Sequence, residues 1–267
     1  MTKLLQRFNA LRDVGRKGFI PFVTAGDPDL RTSTDICVTL AESGADVIEL
    51  GVPFSDPIAD GPTIQRSSAR ALANGTSLRD VLKLSSEVKR RTDVPLVLFS
   101  YFNPVFKFGI ENFVQAAADS GIDALLLTDV VDAEALTISE MLLTSGIDLI
   151  SLIAPTTNEA RIADICSTAR GFIYAVSRAG VTGVGDNAAE QAQRLVERIR
   201  PHTVLPIAVG FGLSTSDQIK RVWEYADAAV VGSAIVSVIE SSEPDNAVEN
   251  VAEFVRGILP AVAKRTL

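Results

Sequence analysis

Apolar residues in this chain come in short blocks, and four of the blocks share a lead-in: SGADVIEL from Ser43, SGIDALLL from Ser120, SGIDLISL from Ser145 and a worn copy, YADAAVVG, from Tyr225. In each full copy a glycine able to take the left-handed conformation ends a helical stretch. An aspartate then precedes an apolar run too short to be a helix. Such runs are apolar at successive positions, so both faces are buried, as in parallel strands covered by helices. Four further β-rich runs, Phe19–Val23, Pro95–Phe99, Phe172–Val176 and Leu205–Val209, bring the predicted strands to eight.

Between the runs the period lengthens. Ala192, Leu195, Val196 and Ile199 keep the i, i+3, i+4, i+7 spacing, as do Phe113, Ala116, Ala117 and Ser120. Val248, Val251, Phe254, Val255 and Ile258 predict a closing helix, and the amphipathic MTKLLQRFNALRDVGRKG predicts an extra one at the N-terminus. Strand–helix alternation without a linker or composition break predicts α/β architecture, a single (β/α)8 TIM barrel domain over residues 1–267. The runner-up, an open doubly wound sheet, wants a G-x-G-x-x-G loop after its first strand. TAGDPDL lacks that spacing.

A hydrophobic content of 47%, with 22% charged residues, suits a chain with a large buried core, and a net charge of -8 disfavours nucleic acid and anionic membranes. No apolar run approaches the roughly 18 residues of a membrane span, and the N-terminus has no signal-like apolar region. The cytoplasm is the expected compartment. Cys37 and Cys166 are expected to be reduced packing residues.

In a barrel of this kind, chemistry collects on the loops at the C-terminal ends of the strands. IELGVPFSDPIADGPTIQ, after the second strand, carries Glu49, Asp56 and Asp60 with no lysine or arginine before Arg66. Glu49 lies between Ile48 and Leu50 at a strand end, where desolvation would raise its pKa and suit it to proton transfer. Asp56, before Pro57, reads as a turn cap. After the sixth, seventh and eighth strands come SRAGVTGVGD, GFGLSTSDQ and GSAIVSV, and Ser233 opens a predicted short helix. Three neighbouring glycine loops with a helix N-terminus predict a phosphate site. Phe22, Tyr101 and Tyr174 are candidates to line an aromatic-sized pocket. The lone histidine, His202, precedes the seventh strand on the face that serves stability, no His/Cys cluster suggests a metal, and Lys107 is poorly placed for a Schiff base. Carboxylate acid–base chemistry on a phosphorylated small molecule remains, with no cofactor required.

The Glu49–Pro57 block with Ala59-Asp60-Gly61-Pro62 resembles the signature of the tryptophan synthase α subunit family. Pro21–Pro28, Tyr101–Pro104, Ala154–Thr157, Ser177–Gly183 and Gly210–Gly212 are similar to further family blocks, in the family's order. The resemblance implies cleavage of indole-3-glycerol phosphate into indole and glyceraldehyde 3-phosphate in a (β/α)8 barrel, with Glu49 as general acid/base and Asp60 accepting the indole N–H. It implies phosphate binding at Gly183, Gly212, Gly232 and Ser233, and substrate or mobile-loop contacts from Phe22, Tyr174, Thr182 and Phe211. It further implies a β subunit carrying pyridoxal phosphate in an α2β2 complex, with no cofactor in this chain. The family's usual Asp-x-Pro after the fourth strand is Asp129-Val130-Val131 here, which predicts a looser loop on the side facing that partner. A free-standing indole-producing lyase and a catalytically idle phosphate-binding barrel are the alternative readings.

Overall fold

In the computed structural model, which describes residues 1–176, 187–210 and 212–260, eight strands close into a parallel ring in sequence order. They are β1 (Gly18–Thr24), β2 (Ile48–Gly51), β3 (Leu96–Ser100), β4 (Ala124–Leu127), β5 (Asp148–Ile153), β6 (Ile173–Val176), β7 (Ile207–Gly210) and β8 (Ala228–Val231). The predicted eight-stranded barrel is the fold observed. Two boundaries move for one reason. Pro95 and Pro206 lie just ahead of β3 and β7, having no N–H to give a ladder; each offers its carbonyl to a neighbour, Pro95 to Ile48 N and Pro206 to Ile173 N at 2.9 Å.

The strands alternate between two apolar clusters. Ile48, Leu50, Leu96, Leu98, Leu125, Ile173, Val209 and Val231 face outward under the helices. Val97, Leu126, Ile150, Ala208, Ala228 and Val230 face into the ring. The inner cluster is shut at the N-terminal ends of the strands by α1 (Lys3–Asp13), whose Leu4, Phe8 and Leu11 are buried there, with Phe8 against Phe172 at 5.7 Å between ring centroids. The ring is thus a packed core open for chemistry at one end only.

The surrounding helices follow the predicted periodicity. Ala192, Leu195, Val196 and Ile199 are the buried stripe of α9 (Asn187–Ile199), and Val251, Val255 and Ile258 that of α12 (Ala247–Ile258). The others are α2 (Leu30–Glu42), α3 (Pro62–Ala73), α4 (Leu78–Arg91), α5 (Phe102–Phe108), α6 (Ile110–Asp119), α7 (Asp132–Leu143), α8 (Glu159–Thr168), α10 (Ser216–Tyr225) and α11 (Ser233–Ser241). None is long and apolar enough to cross a membrane, among the described residues.

The recurring phrase has a structural meaning beyond its glycine. Gly44, Gly121 and Gly146 end helices at φ of 105°, 75° and 74°. The aspartate that follows then ties neighbouring strands at their N-terminal ends. Asp46 accepts from Phe19 N at 3.0 Å, Asp123 from Leu96 N at 2.9 Å and Asp227 from Ile207 N at 2.9 Å. Asp148 accepts instead from the Thr2 hydroxyl at 2.6 Å. Cys37 and Cys166 are buried and free; burial pushes the Cys37 thiol up to about 12. His202 lies in a short turn before β7, 3.8 Å from Glu159, remote from the C-terminal mouth.

Candidate active site

At the C-terminal mouth of the ring is a cavity of about 790 Å³. Strand alternation builds its floor. Glu49 is the inward residue of β2, paired in register with Phe22 on β1 and Val97 on β3. Phe22, Phe99, Tyr174, Val176, Gly210 and Val230 share that inner surface. Gly51 and Gly210 make room for it: a Cβ on Gly51 would stand 2.5 Å from the Phe22 ring, and one on Gly210 would stand 2.6 Å from the Tyr174 hydroxyl. Phe22 meets Phe99 edge to face at 5.4 Å, and the two rings give the cavity an apolar wall.

Glu49 is 1% exposed, and its Oε1 has no hydrogen-bond partner among the described residues. Burial pushes its carboxyl up to about 8, from an ordinary value of 4.5. A buried carboxyl without a partner is costly as an anion, so near neutrality it holds its proton. The same burial raises the neighbouring Tyr174 phenol well above its usual range, helped by the charge on Glu49.

Asp60 reaches the cavity from the loop between β2 and α3. That loop is fastened from behind. Ala59 N donates to the Tyr101 hydroxyl at 2.9 Å, and Gln65 Nε2 donates to the Asp60 carbonyl at 2.9 Å. Phe54 packs on the Tyr101 ring at 4.9 Å. Partial burial pushes the Asp60 carboxyl up to about 6, while the adjacent Tyr101 hydroxyl holds it down. Asp56 accepts from the Ser55 hydroxyl at 2.6 Å within the exposed turn.

The same cavity is lined by Gly212, Gly232 and Ser233. Gly212 has φ of 78°, a conformation only glycine takes easily. Gly232 is the N-cap of α11 and Ser233 its first residue, so the positive end of a nine-residue helix meets the cavity. Among the described residues, no group of three or more His, Cys, Asp or Glu could hold a metal ion.

The structure therefore gathers Glu49, Asp60, Phe22, Tyr174, Gly212, Gly232 and Ser233 around one space. Tyr101, predicted as a pocket wall, is buried behind the Asp60 loop and is not among the lining residues. Its hydroxyl is engaged by that loop's backbone. Thr182, Gly183 and Phe211 lie outside the described residues. Phe99, Ile64 and Val230 line the cavity without having been singled out. For Phe99 and Val230 the signal was available: each occupies an inward position two residues beyond another inward one, Val97 and Ala228. After β4, Asp129 accepts from Phe102 N at 2.7 Å and so joins two neighbouring loops. Val131 caps α7 at φ of -140°, far from the -65° or so that proline would impose.

A closed parallel ring whose mouth holds one buried acid without a partner among the described residues, a second acid beside a tyrosine, glycine turns and a helix N-terminus defines a (β/α)8-barrel enzyme acting on an anionic small molecule. The sequence model of the tryptophan synthase alpha chain matches residues 8–262. The chain is 45% identical over 264 residues to the tryptophan synthase alpha chain of Citrifermentans bemidjiense, covering 99% of both. It is 47% identical over 260 residues to that of Dechloromonas aromatica, covering 97% of both. Among solved structures, a chain of Mycobacterium tuberculosis tryptophan synthase superposes with a TM-score of 0.88 at 32% identity, covering 97% of this chain and 99% of that one. A mutant α subunit from Pyrococcus furiosus does so at 0.83 and 37%, covering 90% of this chain and 97% of that one. The chain belongs to the tryptophan synthase alpha chain family.

Proposed function

We propose that this chain cleaves indole-3-glycerol phosphate to indole and glyceraldehyde 3-phosphate, a lyase reaction in tryptophan biosynthesis, with Glu49 as its proton carrier. The observation that carries the reading is the Glu49 carboxyl, buried in the cavity wall with no hydrogen bond to Oε1 among the described residues and raised to about 8. Near neutral pH it is protonated and gives its proton to indole C3, which makes the ring an indoleninium cation. The carboxylate left behind is desolvated and therefore strongly basic, and it takes the proton of the glycerol hydroxyl next to the ring. The hydroxyl oxygen becomes the aldehyde, the carbon–carbon pair returns to the ring, and indole leaves with the new hydrogen on C3. Protons balance through one side chain.

Asp60 has the complementary task. Its carboxyl titrates near 6, below Glu49, so it is ionised while Glu49 is not. An anion held by Tyr101 beside the cavity accepts the indole N–H and stabilises the cation as it forms. Gly212 and the Gly232–Ser233 turn hold the phosphate, and Gly183, which lies outside the described residues, is assigned to the same set. Phe22, Phe99 and Tyr174 give the ring its apolar slot, and Thr182 and Phe211 are assigned to the same substrate. Acid–base and electrostatic work by these side chains calls on no cofactor in this chain.

A β subunit carrying pyridoxal phosphate is the proposed partner, in an α2β2 assembly in the cytoplasm. Large apolar side chains stand exposed on three successive connections that follow β2, β3 and β4: Ile58 in the loop before α3 at 85%, Phe106 on α5 at 63% and Val131 at the start of α7 at 61%. Such a cluster on one end suits a partner surface. Indole release by the purified chain, with and without a β subunit, tests the proposal. No cleavage in either arm would overturn the activity, and cleavage unaffected by the β subunit would overturn the partnership.

A further inference from the structure

The two helices that frame the cavity are joined by charges that the chemistry above does not use. α3 begins two residues after Asp60, and α11 begins at Ser233. Arg70 of α3 donates from Nε and Nη2 to the two oxygens of Asp27, at 2.8 Å each, and Asp27 is 1% exposed in the loop after β1. Its remaining nitrogen, Nη1, reaches Glu240 of α11 at 2.7 Å. Arg66, one turn nearer the cavity, grips the same Glu240 carboxylate from Nε and Nη2, again at 2.7 Å.

One planar fork thus meets two carboxylates on two elements, an arrangement a lysine cannot reproduce. α3 is also fixed to β1 directly by a 2.6 Å hydroxyl contact between Thr24 and Ser67, and its C-cap Asn74 donates to the Pro28 carbonyl in the loop after β1 at 2.5 Å. Isolated surface ion pairs add little stability, so the two half-exposed arginines count chiefly through geometry. They set where α3 and α11 lie relative to each other. Since both helices start at the cavity, that sets the distance between Asp60 and the Gly232–Ser233 turn.

We propose that Arg70, acting with Glu240, is a positioning residue: it fixes the separation between the ring-binding acid and the anion-binding turn, so that one molecule engages both at once. This rests on the substrate reading given above. A substrate that spans two anchors gains from their spacing, whereas a fragment that touches one anchor does not.

The experiment compares whole and halves. Indole-3-glycerol phosphate turnover is measured for wild type, Arg70→Lys and Glu240→Gln, alongside the dissociation constants of glycerol 3-phosphate and of indole. Both fragments should bind every variant within about twofold of wild type, while kcat/KM for the joined substrate falls roughly 10- to 100-fold in Arg70→Lys, the scale of a misplacement near 1 Å. Glu240→Gln should lose about threefold, part of the same spacing effect. Glu240 is at the surface, so its variant keeps the test open if Arg70→Lys folds poorly. Parallel losses for fragments and whole substrate would mean a merely structural role, and unchanged turnover would mean none; either overturns the proposal. A wild-type chain that cleaves nothing would remove the reading beneath it and the proposal too, a failure seen before any variant is made.

Discussion

The barrel carries carboxylates at both ends, and the two ends treat them in opposite ways. At the N-terminal end Asp46, Asp123 and Asp227 each accept a backbone N–H and each faces a cation, Arg16 at 3.6 Å, Lys89 at 3.1 Å and Arg200 at 2.7 Å. At the C-terminal end Glu49 Oε1 has no partner among the described residues, and Asp60 has a tyrosine. Burial is common to both ends, and it raises Asp46 and Asp148 as well as Glu49. Partnering separates them. An acid that closes a strand ladder is spent on the fold, whereas an acid buried without a partner stores a penalty that only a substrate can relieve.

Exchanging the ends in thought gives the largest expected effect. Glu49→Gln keeps shape and burial but removes the exchangeable proton, and should lower kcat by about 10²- to 10⁴-fold with an unchanged circular dichroism spectrum. Asp60→Asn should cost on the order of 10²-fold through lost charge stabilisation. Asp123→Ala should do the reverse. It leaves Leu96 N–H unanswered and the Lys89 ammonium with the Val94 carbonyl but no counter-charge, so unfolding in urea should show a loss of about 3 kcal/mol while indole release per folded molecule stays unchanged. If Asp123→Ala were the one to abolish turnover, the division between the ends would be wrong.

Stability against pH sharpens the contrast. Glu49 binds its proton in the folded chain up to about 8 but in the unfolded chain only up to about 4.5, so the folded state holds more protons between those values. Its contribution is complete below about pH 4.5, declines as pH rises and is gone above about 8. Wild type should therefore lose roughly 5 kcal/mol relative to Glu49→Gln across that window, read from denaturant midpoints at a series of pH values. A pH-independent difference would mean that Glu49 titrates alike in both states. The smallest effect is at Tyr101→Phe. Loss of the hydroxyl frees Ala59 N and removes the group that holds Asp60 down, so the acidic limb of the rate profile should move to higher pH, with turnover only several-fold lower.

Much of this was legible in the chain. Short runs apolar at successive positions predicted the strands, and period-3.6 spacing the helical stripes, because strands buried on both faces and amphipathic helices leave different patterns. Glu49 stood out as an acid in an apolar run. What stayed hidden depends on residues distant in sequence. The aspartate of the repeated phrase serves a strand some 20 to 27 residues earlier, and Arg70 meets Glu240 across 170 positions. Tyr101 looked like a pocket wall, because sequence places it at a strand end without showing that the Asp60 loop folds across its hydroxyl.

The most direct test is the titration of Glu49 itself, followed by carbon-13 NMR of glutamate δ-carboxyls, with its resonance identified by its absence in Glu49→Gln. The account predicts one carboxyl titrating near pH 8, far above the rest. A Glu49 that titrates with the surface glutamates near its ordinary value of 4.5 would contradict the claim that this acid is held protonated for transfer.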